Sequence, residues 1–216
     1  MTSAELRPPL FDAHASLATV LDWEGLPGVL RRALTRAIPQ ELRERVTFID
    51  SLRSADPRLR EWQVGLLALD IGIDLHDARD NLIGLFSQAE LDTAPITRFC
   101  IHGVGPRQGF GASFRAPTPT APPIVCAAAV VYFTDTGLVD SEFVFMAGPS
   151  VPITQVPVAM LRAEHLDDAQ VERAIGSVSE HLAAFGHQAE TSAIVLKEAL
   201  MECLKSIGPT PREQQW

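Results

Sequence analysis

The chain has 216 residues, 46% of them apolar and 21% charged, with a formal net charge of −9. Those proportions suit a soluble globular protein of one domain or two small ones. The acidic balance excludes a general nucleic-acid binder, which needs basic surface to displace counterions from phosphate.

The longest apolar run, Ile124 to Phe133, is shorter than the roughly 20 residues that cross a bilayer. Glu5 and Pro8-Pro9 stand where a secretory signal would need an apolar core. The expectation is a cytoplasmic protein with no membrane partner. Cys100, Cys126 and Cys203 lie far apart, form no CxxC and sit in apolar stretches, as buried thiols of a reducing compartment do. Cys100 and His102 have the spacing of a CxH ligand pair, but no second pair stands nearby and alternate strand positions give the same spacing, so no metal is expected.

In chain order, Pro8 to His14 reads as a short extended lead-in, and Ser16 caps a helical turn through about Asp22. Pro27 to Ile38 follows as a helix with Pro27 in its first turn, closed or kinked at Pro39. Arg45 to Ile49 alternates towards a strand. Asp56-Pro57 is an N-cap and first helical residue, and Leu59, Trp62, Leu66 and Leu69 form the stripe of a half-buried helix. Asp70 to Asp77 switches to period two, with Ile71, Ile73 and Leu75 on one face, and Ile96 to His102 is a further strand.

Residues 103–123 break the pattern with Gly103, Gly105, Gly109, Gly111 and the prolines Pro117, Pro119, Pro122 and Pro123, which reads as a loop or linker. Ile124 to Thr134 and Leu138 to Ala147 flank Asp135-Thr136-Gly137 as a hairpin. The remainder is expected to be helical. Gln155 to Leu161 is short, and Asp167 with Gln170 has capping-box spacing before a Val171, Ile175, Val178, Leu182 stripe. Leu196, Leu200, Cys203 and Ile207 make a second stripe, stopped at Gly208-Pro209. The fold class is α+β, with units at 1–105 and 124–208, a Gly/Pro-rich linker at 106–123 and a tail at 209–216.

No motif specifies catalysis. His102-Gly103-Val104-Gly105-Pro106-Arg107-Gln108-Gly109 approaches GxGxxG, but its third glycine is one place late, Pro106 removes an N–H and no helix follows to hold a pyrophosphate. His14 and His76-Asp77 lie on extended segments without a nucleophile elbow. Residues 31–60 hold eight arginines against four acids, whereas residues 117–216 hold 5 basic against 12 acidic residues. The arginine stretch faces an acidic partner or a phosphate-bearing ligand, or is a solvated helical face, the more ordinary arrangement.

Several stretches carry a resemblance. Leu52-Arg53-Ser54-Ala55-Asp56-Pro57, followed by Gly65-Leu66-Leu67-Ala68-Leu69-Asp70, looks like the ADP-type loop and LLALDA-like helix end of a flavin domain. Ala147-Gly148-Pro149-Ser150-Val151-Pro152 is similar to a GG(V/M)AP(T)P segment after a hairpin, and Val158-Ala159-Met160-Leu161 with Leu166-Asp167-Asp168-Ala169 is similar to an EALLRGKPLDEA stretch. Together they resemble the FAD-binding (medium) subunit of molybdenum hydroxylases, the flavoprotein of xanthine and carbon monoxide dehydrogenases. The resemblance implies a remnant of the second FAD-binding subdomain, then a C-terminal antiparallel sheet with a helical bundle. It implies FAD as cofactor, and molybdenum-cofactor and iron–sulfur subunits, or a second copy, as partners.

Departures from the family pattern set a second expectation. The leading subdomain, with its glycine-rich pyrophosphate loop, has no counterpart in these residues. Where the family has a TIGG(N/S)L turn, this chain reads Thr47-Phe48-Ile49-Asp50-Ser51-Leu52. Ile49 puts a branched side chain where bare backbone is wanted and does not easily take positive φ. Asp50 brings a negative charge towards a pyrophosphate; at an effective dielectric of about 20, like charges 4 Å apart repel by roughly 4 kcal/mol, about three decades of affinity. Arg60 falls near the family's acidic position after ADP, and Phe114 to Pro123 replaces its basic segment.

Thr47, Ser51 and Asp56 remain at motif positions as candidate cofactor-binding residues, with ordinary turn and cap chemistry as the alternative. Two functions follow. One is a partner-binding or assembly module that has lost autonomous FAD binding. The other is a FAD-dependent electron-transfer component of a xanthine or carbon monoxide dehydrogenase-type oxidoreductase.

Overall fold

The computed structural model describes residues 10–69, 73–77, 82–83, 95–101, 108–118, 121–133, 139–140, 143–148, 151–157 and 168–205. The chain divides into two compact units, one of residues 1–55 with 70–103 and the other of residues 56–69 with 104–216.

In the first unit, strand β1 (Leu10–Asp12) leads to helices α1 (Leu17–Asp22), α2 (Gly28–Ala37), α3 (Gln40–Arg43) and α4 (Phe48–Arg53). Strands β2 (Ile73–Asp77), β3 (Leu82–Ile83) and β4 (Ile96–Ile101) follow, and the antiparallel sheet runs β1-β4-β2-β3. Ser16 begins α1 as expected, its side chain accepting from the Thr19 N–H. Leu17, Val20, Leu30, Leu34, Phe48 and Phe99 are fully buried, so the helices turn their apolar faces inward. Phe99 on β4 stacks on Phe48 with ring centroids 3.5 Å apart, and on Phe11 of β1 at 5.1 Å.

Two of the clustered arginines act as braces within this unit. Arg31 donates to the carbonyls of Leu21 and Trp23, at the end of α1. Arg43 donates to those of Thr35 and Ile38, each at 2.9 Å, at the end of α2. Both satisfy terminal carbonyls that a helix cannot bond internally.

The second unit contains α5 (Arg60–Ala68), strands β5 (Gln108–Arg115), β6 (Val125–Phe133), β7 (Val139–Asp140), β8 (Phe143–Ala147) and β9 (Thr154–Pro157), then α6 (Asp168–Ser177), α7 (Ser179–Ala183) and α8 (Ala189–Lys205). The antiparallel sheet runs β5-β6-β8-β9, with β7 beside β6. Val125, Ala127, Ala129 and Val131 of β6 share a core with Met146, Val156, Val171, Leu196, Leu200 and Cys203. Cys126, Ala128 and Val130 alternate with them and are buried as well. They turn to the other face, where α5 packs on β6 and β8.

Four expectations are corrected. Thr47 to Ile49 does not continue a strand: Ser16 and Thr47 form one antiparallel bridge, and α4 starts at Phe48. The helix at 60–68 is not half-buried, for Glu61 and Gln63 are buried along with Trp62, Val64 and Leu66. It belongs to the second unit because its neighbours are β6 and β8.

The glycines at 109 and 111 belong to strand β5, not to a linker, and Phe110, Ala112 and Phe114 supply a period-two pattern between and after them. A Cβ on Gly111 would stand 2.1 Å from the carbonyl oxygen of Ala199 and 2.7 Å from the N of Cys203. The glycine is there so that α8 can lie directly on β5. Gln155 to Pro157 is strand β9, not helix, with Val156 buried against the core.

The second apolar stripe holds in α8, where Leu196, Leu200 and Cys203 are buried. The first divides between α6 and α7 at Val178, which is buried with Val171 and Leu182. Gly186 ends this pair at φ 58°, a conformation that suits glycine. The hairpin turn at Asp135-Thr136-Gly137, the Gly103–Arg107 loop, the Asp167 cap, the Val158–Leu166 stretch and the Gly208-Pro209 stop lie outside the described residues.

Candidate functional site

The candidate positions fall into two places, one in each unit. Thr47 and Ser51 belong to the start of α4. Asp56 begins the short 3-10 turn Pro57–Leu59 ahead of α5.

The start of α4 is built by its own sequence. Thr47 has extended backbone angles, φ −88° and ψ 163°, and its hydroxyl oxygen accepts from the Asp50 N–H at 3.2 Å. That hydroxyl donates in turn to the Asp50 carboxylate at 2.6 Å. A threonine before the helix and a carboxylate in its first turn bond each other reciprocally. The carboxylate also lies at the positive end of the helix dipole, where a negative charge is favoured.

The other donors of this first turn are occupied as well. The Phe48 N–H bonds the Ala15 carbonyl at 3.0 Å and the Ile49 N–H bonds the Ala13 carbonyl at 3.2 Å. The Ser51 N–H bonds the Thr47 carbonyl at 3.0 Å. A helix start ordinarily leaves such N–H groups for an anion, a side chain or water. Here the chain segment at Ala13–Ala15 and the cap residue take them.

The side chains are equally committed. Phe48 and Ile49 are buried in the first unit's core. Ser51 has no exposed surface, and its hydroxyl donates to the Phe48 carbonyl at 2.6 Å. A serine in that position supports the turn from within.

Asp56 accepts the Arg58 N–H at 2.9 Å, and its two carboxylate oxygens also bind the Arg58 guanidinium, with the shortest contact 2.5 Å. The Arg58 side-chain hydrogen bonds hold the Asp56 carboxyl below the usual carboxylate range, and Asp56 raises Arg58 in return. A carboxylate held in this two-point grip is a weak base and a stable cap.

One polar arrangement escaped sequence reading because β5 was taken for a loop. Ser113 and Arg115, two residues apart on β5, both reach Glu198 on α8. The Ser113 hydroxyl donates at 2.6 Å and Arg115 Nη1 at 2.8 Å to one carboxylate oxygen, while Arg115 Nη2 binds the other. The Arg115 guanidinium, more than the Ser113 hydroxyl, holds the Glu198 carboxyl below its ordinary range. The period-two spacing of Ser113 and Arg115 was the available signal. Among the described residues no group of three or more His, Cys, Asp or Glu side chains could hold a metal ion, and no helix is long and apolar enough to cross a membrane.

The architecture defines an α+β chain built on two antiparallel sheets. Solved structures give that class a closer likeness. The fold is similar to a chain of carbon monoxide dehydrogenase from Hydrogenophaga pseudoflava, with a TM-score of 0.66 at 10% identity, covering 92% of this chain and 76% of that one. It is similar to a chain of quinoline 2-oxidoreductase from Pseudomonas putida 86, with a TM-score of 0.66 at 14% identity and the same coverage. A carbon monoxide dehydrogenase chain from Oligotropha carboxidovorans gives a TM-score of 0.62 at 11% identity, covering 91% of this chain and 75% of that one. No protein-family model and no curated protein sequence matches the chain.

Proposed function

We propose that this chain is a module of the molybdenum-hydroxylase flavoprotein kind that does not hold FAD by itself and serves to bind or assemble partner subunits. The fold likeness to carbon monoxide dehydrogenase and quinoline 2-oxidoreductase chains supports the kind. The Hydrogenophaga pseudoflava enzyme is a molybdenum enzyme that lacks the Mo-pyranopterin moiety of its cofactor, and a further similar structure is that of a Cu,Mo carbon monoxide dehydrogenase. By extension, the partners of this chain are molybdenum-cofactor and iron–sulfur subunits, or a second copy of itself.

The observation that carries the loss of autonomous FAD binding is the closed start of α4. The resemblance expects bare backbone at this turn, where a dinucleotide can approach, and such an approach is strongest where N–H groups are open. The Phe48, Ile49, Asp50 and Ser51 N–H groups are each bonded within the chain. Asp50 adds its own carboxylate where a pyrophosphate would approach. On this reading Thr47, Ser51 and Asp56 keep their motif positions as cap and turn residues, and no redox step is assigned to them.

The test is the visible spectrum of the purified full chain, followed by thermal unfolding with added FAD. The expected result is a colourless protein whose melting temperature FAD leaves unchanged. A site with FAD at a hundred times its dissociation constant would add about 2.7 kcal/mol of stability. Flavin bands that persist through gel filtration would overturn the proposal and restore an electron-transfer role.

A further inference from the structure

We draw no further inference here: the strongest candidate, the junction where the starts of α1 and α4 meet through the Ser16–Thr47 bridge, belongs to the site already described, and its cap hydroxyls and the N–H groups of Leu17, Thr19, Phe48 and Ile49 are taken within the chain.

Discussion

The start of α4 and the crossing of α8 over β5 treat bare backbone in opposite ways. At β5 the chain keeps a glycine, Gly111, because the Ala199 carbonyl oxygen and Cys203 N occupy the space a Cβ would need. At α4, where the resemblance expects two glycines, it carries Ile49 and Asp50, one buried in the core and the other bonded to the helix cap. Close approach is retained where the approaching group is the chain's own helix. On the proposed function it is given up where the approaching group would be a dinucleotide. The difference teaches that a glycine is informative only together with what comes near it.

The largest effect that sharpens this contrast is expected at the crossing. Gly111→Val should lower the free energy of unfolding by about 3 kcal/mol, the upper end of ordinary overpacking costs, measured by urea denaturation. Wild-type stability for this variant would mean that α8 does not rest on β5. A smaller effect is expected at the α4 cap: Thr47→Ala removes the acceptor for the Asp50 N–H and the donor to its carboxylate. A lost cap of this type costs roughly 1 kcal/mol, and Thr47→Ser should recover most of it. A Thr47→Ala chain with unchanged stability would break the structural side of the comparison.

The smallest effect belongs to the Ser113–Arg115–Glu198 arrangement. Its Arg115 and Glu198 side chains are 40% and 43% exposed, so solvent screening limits the pair to less than about 1 kcal/mol. The sign with pH is fixed by the depressed Glu198 carboxyl. Its folded value lies below its unfolded one, so the stabilisation is present above about pH 4. It is lost as pH falls through the folded value. Glu198→Gln should therefore unfold slightly more easily than wild type at pH 7, with the gap closing in acid. A gap that widened on acidification would show that Glu198 is not held as its charged form.

Much of the fold was legible because it follows from periodicity and punctuation. Ser16 announced α1, the Leu196, Leu200, Cys203 stripe announced α8, and Asp56-Pro57 announced the turn into α5. What escaped was tertiary. Gly111 read as a loop residue because its reason for being glycine, the approach of α8, lies about ninety residues further along the chain. The stripe of Leu59, Trp62, Leu66 and Leu69 read as one face of a half-buried helix, yet Glu61 and Gln63 are buried too.

The candidate site was legible in part. Thr47 and Ser51 could be placed on one turn from the sequence, but not the direction of their bonds. Whether that turn faces outward with open N–H groups or inward onto Ala13 and Ala15 depends on a distant segment that no local spacing encodes. The apparent strand at Arg45 to Ile49 has a different, local origin, since alternation over five residues is too short to outweigh a threonine cap with an aspartate three residues on.

The central claim, that the first turn of α4 has committed its donors to its own chain, is tested most directly by amide hydrogen exchange at Phe48 and Ile49 with and without FAD. Both amides should be protected in the free protein, and FAD should change neither rate. Rapid exchange in the free protein that slows on adding FAD would contradict the claim, because those N–H groups would then be open to a ligand.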